Sequence, residues 1–116
     1  MKAKLLCIAA SLLATSALAE TKNPLEDLQA IVNSPAVMEL VSSNEMGVKA
    51  IELVAVAACG PNSPAFYKVS GSKYDQQRET WLSCEFSVTV SPSDGQCFGS
   101  AARAASAPSE IQCSSN

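Results

Sequence analysis

Apolar residues recur at two periods along this chain, and the change of period divides it. After Asn23, the residues Leu25, Leu28, Ile31 and Val32 fall at offsets of three, six and seven. That spacing aligns them along one stripe of an α-helix, with Glu26, Asp27 and Gln29 on the water-facing side. Asn23 can cap the first turn and Pro24 is tolerated at the first helical position, so the helix is expected to start there. Ser34 and Pro35 repeat the start signal and predict a kink or a second short helix, with Val37, Met38, Leu40 and Val41 turned inward. Ser42, Ser43, Asn44 and Gly47 then break the pattern, so the helical region should end near Ser43.

The period becomes two further along. Leu82, Cys84, Phe86, Val88 and Val90 alternate with Ser83, Glu85, Ser87 and Thr89, which predicts a strand with one packed face and one wet face. Between the helices and this strand, Val48 to Cys59 is open to two readings. Its alanines and the Gly60-Pro61 stop suit a helix, whereas its β-branched residues suit a strand with Ile51, Leu53, Ala55, Ala57 and Cys59 on one face. Strand is favoured, with Gly60 to Pro64 as a turn and Ala65 to Ser70 as the next strand. Ser91 to Gly95 is a strong turn signal, and Gln96 to about Arg103 can return as a fourth strand. The expected fold is α+β: an N-terminal helical region packed on a three- or four-stranded antiparallel meander. It forms a single domain over residues 20–103, and residues 104–116 are a mostly irregular tail tied down by Cys113.

The first nineteen residues change the picture of compartment. Lys2 and Lys4, an apolar run from Leu5 to Leu13, and the small residues Ala17 and Ala19 have the layout of a secretory signal peptide, with cleavage expected after Ala19. The run is too short to span a bilayer, and Cys7 lies inside it rather than after it, so no membrane span and no lipid anchor are implied once the leader is gone. The mature chain carries no Asn-x-Ser/Thr sequon. With the compact leader, this points to a periplasmic or secreted protein of a bacterial envelope.

Removing Lys2 and Lys4 leaves six basic residues against eleven acidic ones. A surface of that sign repels phosphate backbones, which argues against nucleic acid and favours a cationic partner. Cys59, Cys84, Cys97 and Cys113 remain, an even number in a short exported chain, and predict two disulfides. Metal is disfavoured because no two of them form a Cys-x-x-Cys pair and the chain has no His. Three connectivities are possible. Cys59–Cys84 with Cys97–Cys113 is preferred, because Cys59 and Cys84 both fall on core-facing positions, and a hairpin turning near Ser93 sets Cys84 opposite about residue 102.

Nothing in the chain marks an enzyme or calls for a cofactor. It lacks His, a Gly-x-Ser-x-Gly elbow and a glycine-rich phosphate loop. An enzyme using carboxylates would need a cleft converging on two or more of Asp75, Glu79, Glu85 and Asp94. Residue types chosen for exposure occur instead at Tyr67, Lys68, Ser70, Gly71, Ser72, Lys73 and Tyr74, read as a loop at a strand end. Tyrosine offers large contact area with few rotors to freeze, and glycine allows a protruding turn. Tyr67, Ser70, Gly71, Lys73 and Tyr74 are the candidate binding residues; the alternative is that Tyr67 packs while the lysines solubilise an edge.

Ser70-Gly71-Ser72-Lys73-Tyr74 resembles the Ser-Gly-x-x-Tyr signature of bacterial periplasmic lysozyme inhibitors, with Trp81 following at a similar spacing. The chain departs from that family at Leu82 and Ser83, where a Lys-Gly pair would stand. The resemblance implies a loop that plugs the lysozyme cleft, which makes lysozyme the first partner to test. The order of elements, helix then meander with disulfides toward the C-terminus, is similar to the cystatin fold. Val69-x-Gly71 echoes part of a cystatin binding loop whose Gln is replaced here by Tyr67. The functional expectation is a small exported, non-enzymatic binding protein, a candidate inhibitor of a partner protein; the alternative is a structural or accessory subunit of an envelope or secretion assembly.

Overall fold

A computed structural model describes residues 24–115. The leader, its cleavage after Ala19 and the Asn23 cap lie outside the described residues. Two short helices open the described chain, α1 (Pro24–Val32) and α2 (Pro35–Ser43), divided where the second proline predicts it. Ser34 caps α2 by accepting a hydrogen bond from the Val37 amide at 3.3 Å, and the Asn44 side chain donates to the Leu40 carbonyl at 2.9 Å to close it.

Five strands follow: β1 (Gly47–Val56), β2 (Ala65–Asp75), β3 (Thr80–Pro92), β4 (Arg103–Ala105) and β5 (Gln112–Ser115). The first three form an antiparallel meander, and β4 and β5 both pair with β3. The architecture is thus α+β with one five-stranded antiparallel sheet, one strand more than the pattern allowed. Residues 48–59 resolve as strand to Val56. The β-branched residues decide this because β1 finds a ladder of partners on β2, broken by two bulges.

Period two in β3 is realised as read: Cys84, Phe86, Val88 and Val90 are buried while Ser83, Glu85 and Ser87 are exposed. With Tyr67 and Val69 of β2, they pack against Ile31 of α1, Val37 of α2 and Met46. Among the described residues nothing covers the opposite face of the sheet in this way, and Phe66, Tyr74 and Trp81 stand exposed on it. Of the face expected to pack, Ile51, Ala57 and Cys59 are half-buried but Leu53 and Ala55 are exposed on this edge strand.

Several expectations are overturned. The disulfides are Cys59–Cys97 and Cys84–Cys113, so the preferred pairing was wrong. The turn after β3 is a long loop, Pro92 pairing with Arg103 and Ser93 with Ala102, which moves the return strand about ten residues on from the tight hairpin assumed. That loop carries Cys97 to the β1–β2 connection, where the Asn62 amide donates to the Cys97 carbonyl at 2.6 Å. Gly60 has no side chain because a Cβ there would come within 2.8 Å of the same carbonyl oxygen. The fourth strand therefore begins at Arg103 rather than running from Gln96 to Arg103. Beyond it the tail is ordered along the β3 edge, with Cys84 directly opposite Cys113.

The helices depart from their periodicity too: Leu25, Val32 and Met38, expected on the packed stripes, are half or more exposed, while Asp27, expected on the wet side of the first helix, is turned inward. It is fully buried, 0 % exposed, in an ion pair with Arg103 at 2.7 Å. The Tyr67 hydroxyl donates to the same carboxylate at 2.7 Å. All three guanidinium nitrogens of Arg103 are bonded: Nε and one terminal nitrogen to Asp27, and the terminal nitrogens also to the carbonyls of Asn62, Ser63 and Val90 and to the Asn62 side chain. Buried charge is tolerated here because it is paired and its hydrogen-bonding capacity is filled.

Candidate functional site

The segment singled out in the sequence is not a loop. Ser70, Gly71, Lys73 and Tyr74 lie inside β2, which runs on to Asp75, and the hairpin turn falls later, at residues 76–79, with Glu79 at positive φ. Gly71 serves a close approach instead of a protruding turn: a Cβ there would collide with the Gly47 carbonyl oxygen and lie 3.0 Å from the Val48 Cα. This is how β1 crowds onto β2 beside its first bulge. Alternation then splits the candidates between faces. Tyr67 points inward to Asp27, Lys73 is half-buried and pairs with Leu82, and Ser70, Ser72 and Tyr74 fall on the uncovered face.

Register brings other residues to the same face. Ser70 stands opposite Glu85, which faces Gln112 of β5; Ser72 stands opposite Ser83, which faces Ser114. Lys49, the extra residue of the β1 bulge, joins Ser70, Ser83, Glu85, Gln112 and Ser114 in lining a groove of about 510 Å³. One row further along, Tyr74 opposes Trp81, their rings edge-to-face with centroids 5.3 Å apart. Trp81 is 55 % exposed and Tyr74 44 %. The other end of the face holds an exposed ion pair between Lys68 and Glu52 at 3.5 Å, beside Phe66.

The arrangement is a shallow trough walled by hydroxyls, an amide and one charge of each sign, with an aromatic pair at its rim. It can make hydrogen bonds in both directions and offers a flat apolar surface beside them. A second groove, of about 400 Å³, lies between the end of α2 and the β2–β3 hairpin, lined by Asn44, Glu45, Lys73, Asp75, Gln76 and Gln77 among others.

Neither groove is lined by two of the four carboxylates that an enzyme reading would need together. Asp75 lines the second groove and bonds Arg78 at 3.7 Å, Glu85 lines the first, and the Asp94 carboxylate accepts a hydrogen bond from the Gln96 amide in its own turn. Among the described residues, no group of three or more His, Cys, Asp or Glu side chains is placed to hold a metal, and no helix is long and apolar enough to cross a membrane.

Sequence reasoning missed Lys49, Gln112 and Ser114. Lys49 joins the face through a bulge and β5 through its pairing with β3; neither leaves a local signal. Trp81 was visible as a spacing, and β3 periodicity puts it on the wet side with Ser83 and Glu85. No protein-family model, no curated protein and no solved structure matches this chain.

Proposed function

We propose that the chain is a small exported, non-catalytic binding protein that captures a protein partner on the uncovered face of its sheet. The observation that carries this reading is the exposed Tyr74–Trp81 pair beside the polar trough, braced from behind by the packed face of β2 and β3. Large aromatic rings held on a rigid sheet and left in water are the usual anchors of a protein interface. The acidic balance favours a cationic partner. Two disulfides support export, since such bonds persist in oxidising compartments, and with the leader they favour a periplasmic or secreted location. The matching measurement is the intact mass of the exported protein, expected to begin at Glu20.

Inhibition of a partner is the specific form to test first, with lysozyme as the first partner. Because Ser70 to Tyr74 lies in a strand, contact would be made by a sheet face and its rim rather than by a plugging loop. Pull-down from envelope extract, followed by affinity measurement on Tyr74→Ala and Trp81→Ala, tests the reading. Each variant is expected to weaken binding by more than about 2 kcal/mol, roughly thirtyfold, while the unfolding free energy falls by less than about 1.5 kcal/mol, the scale of one aromatic pair. Unchanged affinity in both variants would remove this face from the site.

A second reading has its own observation. Leu25, Val32 and Met38 on the two helices are half or more exposed, which suits a subunit that packs its helices against another chain. Solution size separates the two: the binding protein runs as a monomer, and the assembly subunit associates in a way that Met38→Lys abolishes.

A further inference from the structure

We propose that the Cys84–Cys113 disulfide is a releasable clasp on the C-terminal segment, and that opening it removes the third wall of the trough without unfolding the domain. The inference deepens the reading of the uncovered face as a binding site, because it concerns the control of that face.

The segment after β4 runs along the outer edge of β3 as an interrupted strand. β4 pairs Ala105 with Val90. Next, the amides of Ser106 and Ser109 donate to the carbonyls of Thr89 and Ser87 at 2.8 and 2.9 Å, and their hydroxyls accept from the Thr89 and Ser87 amides. β5 then pairs Gln112 to Ser115 with Glu85 to Leu82. The two ends are held by different means. At one end Arg103 is sunk in the buried network with Asp27, Tyr67 and Asn62. At the other, all four side chains of β5 are exposed, and Ile111 before it is only half-buried. A four-residue edge strand with no buried side chain has little beyond its ladder to hold it against chain entropy, so the covalent bond to Cys84 is what retains it.

The two disulfides also differ in access. Cys97 and Cys59 are half-buried, and the amide and carbonyl of their neighbourhood are tied to Ser63 and Asn62. Cys113 is exposed while Cys84 is buried. A thiolate of an external dithiol can therefore reach the Cys113 sulfur, forming a mixed disulfide and releasing Cys84 as a thiolate that takes up a proton. The second thiol of the reagent then resolves the mixed disulfide, leaving Cys84 and Cys113 as thiols and the dithiol oxidised. With the bond open, β5 leaves β3, the trough loses Gln112 and Ser114, and the β3 edge from Leu82 to Glu85 is bared.

The experiment takes the oxidised full protein through limiting dithiothreitol, with alkylation and peptide mass mapping, and follows amide hydrogen exchange in parallel. Cys84 and Cys113 are expected to be alkylated before Cys59 and Cys97. Exchange at residues 112–115 and at the β3 amides facing them should rise by about tenfold or more, while the Ile51–Val69 region stays protected. Cys84→Ala/Cys113→Ala should reproduce that pattern without reductant; the reduced wild type supplies the same reading should the variant fold poorly. A rise in exchange across β1 and β2 as well would make the bond a global staple and overturn the clasp. Unchanged exchange at 112–115 after reduction would do the same, and so would earlier alkylation of Cys59 and Cys97. None of these readouts depends on a partner, so failure of the clasp is distinct from failure of the binding face, which rests on Tyr74 and Trp81.

Discussion

Asp27 and Arg103 lie far apart in the chain yet meet with no exposure to water, and what they stabilise is a junction rather than a surface. Arg103 donates to three backbone carbonyls, those of Asn62, Ser63 and Val90. Removing either partner alone strands a charge, so Asp27→Leu and Arg103→Met are each expected to lower the unfolding free energy by about 3 to 5 kcal/mol in urea denaturation. The double variant should lose less than the sum, with a coupling of about 1 to 3 kcal/mol; strictly additive losses would mean the pair contributes through shape alone. Gly71→Ala is a different kind of residue test. The added methyl meets backbone rather than a flexible side-chain end, so β1 must shift, and the loss is expected to exceed about 2 kcal/mol. A protruding loop glycine would tolerate the same change with little effect, which makes this substitution a direct check on where Gly71 sits.

At the scale of elements, α1, α2 and β3 are legible because each has its own local signal, Pro24 and Pro35 for the helices and strict alternation for β3. β1 is less so: an edge strand with two bulges escapes the strict alternation that identifies β3. The long loop from Ser93 to Ala102 is set by what it must reach. Cys97 joins Cys59 across a sequence separation of 38 residues, and in the chain-entropy model such a bridge stabilises by about 4 kcal/mol. Cys59→Ser/Cys97→Ser is accordingly expected to lose about 2 to 5 kcal/mol, because it also loosens the loop whose carbonyls Arg103 binds. Thermal unfolding of the oxidised proteins measures it. Loss of the clasp variant Cys84→Ala/Cys113→Ala should be smaller, since only β5 and the chain leading to it are freed.

For the whole molecule, the shortest dimension of 18 Å leaves room for one helix layer on one sheet and no more. A two-layer slab of this kind covers one face of its sheet and leaves the other bare. Among the described residues there are two short helices, and both lie on the Tyr67–Val90 side. What turns the other face into a candidate is its content, a polar trough flanked by the exposed Tyr74–Trp81 pair. The predicted loss of binding in Trp81→Ala with little change in stability belongs at this scale, because it depends on the face being free in solution.

Sequence alone determined the elements with a local cause: two helices split at Pro35, the alternating β3, the α+β order and the presence of two disulfides. It also drew attention to Ser70, Tyr74 and Trp81, though it read Ser70 to Tyr74 as a loop where the structure has a strand. Tertiary structure decided everything that joins distant positions. It chose the disulfide partners, turned Asp27 inward to meet Arg103, buried Tyr67 while leaving Tyr74 exposed, and drew Lys49, Gln112 and Ser114 to one face. Periodicity reports which side of an element is apolar, but a buried ion pair, a bulge and a ten-residue loop each exchange local preference for long-range contact, and no residue carries in its own neighbourhood the identity of a partner dozens of positions away.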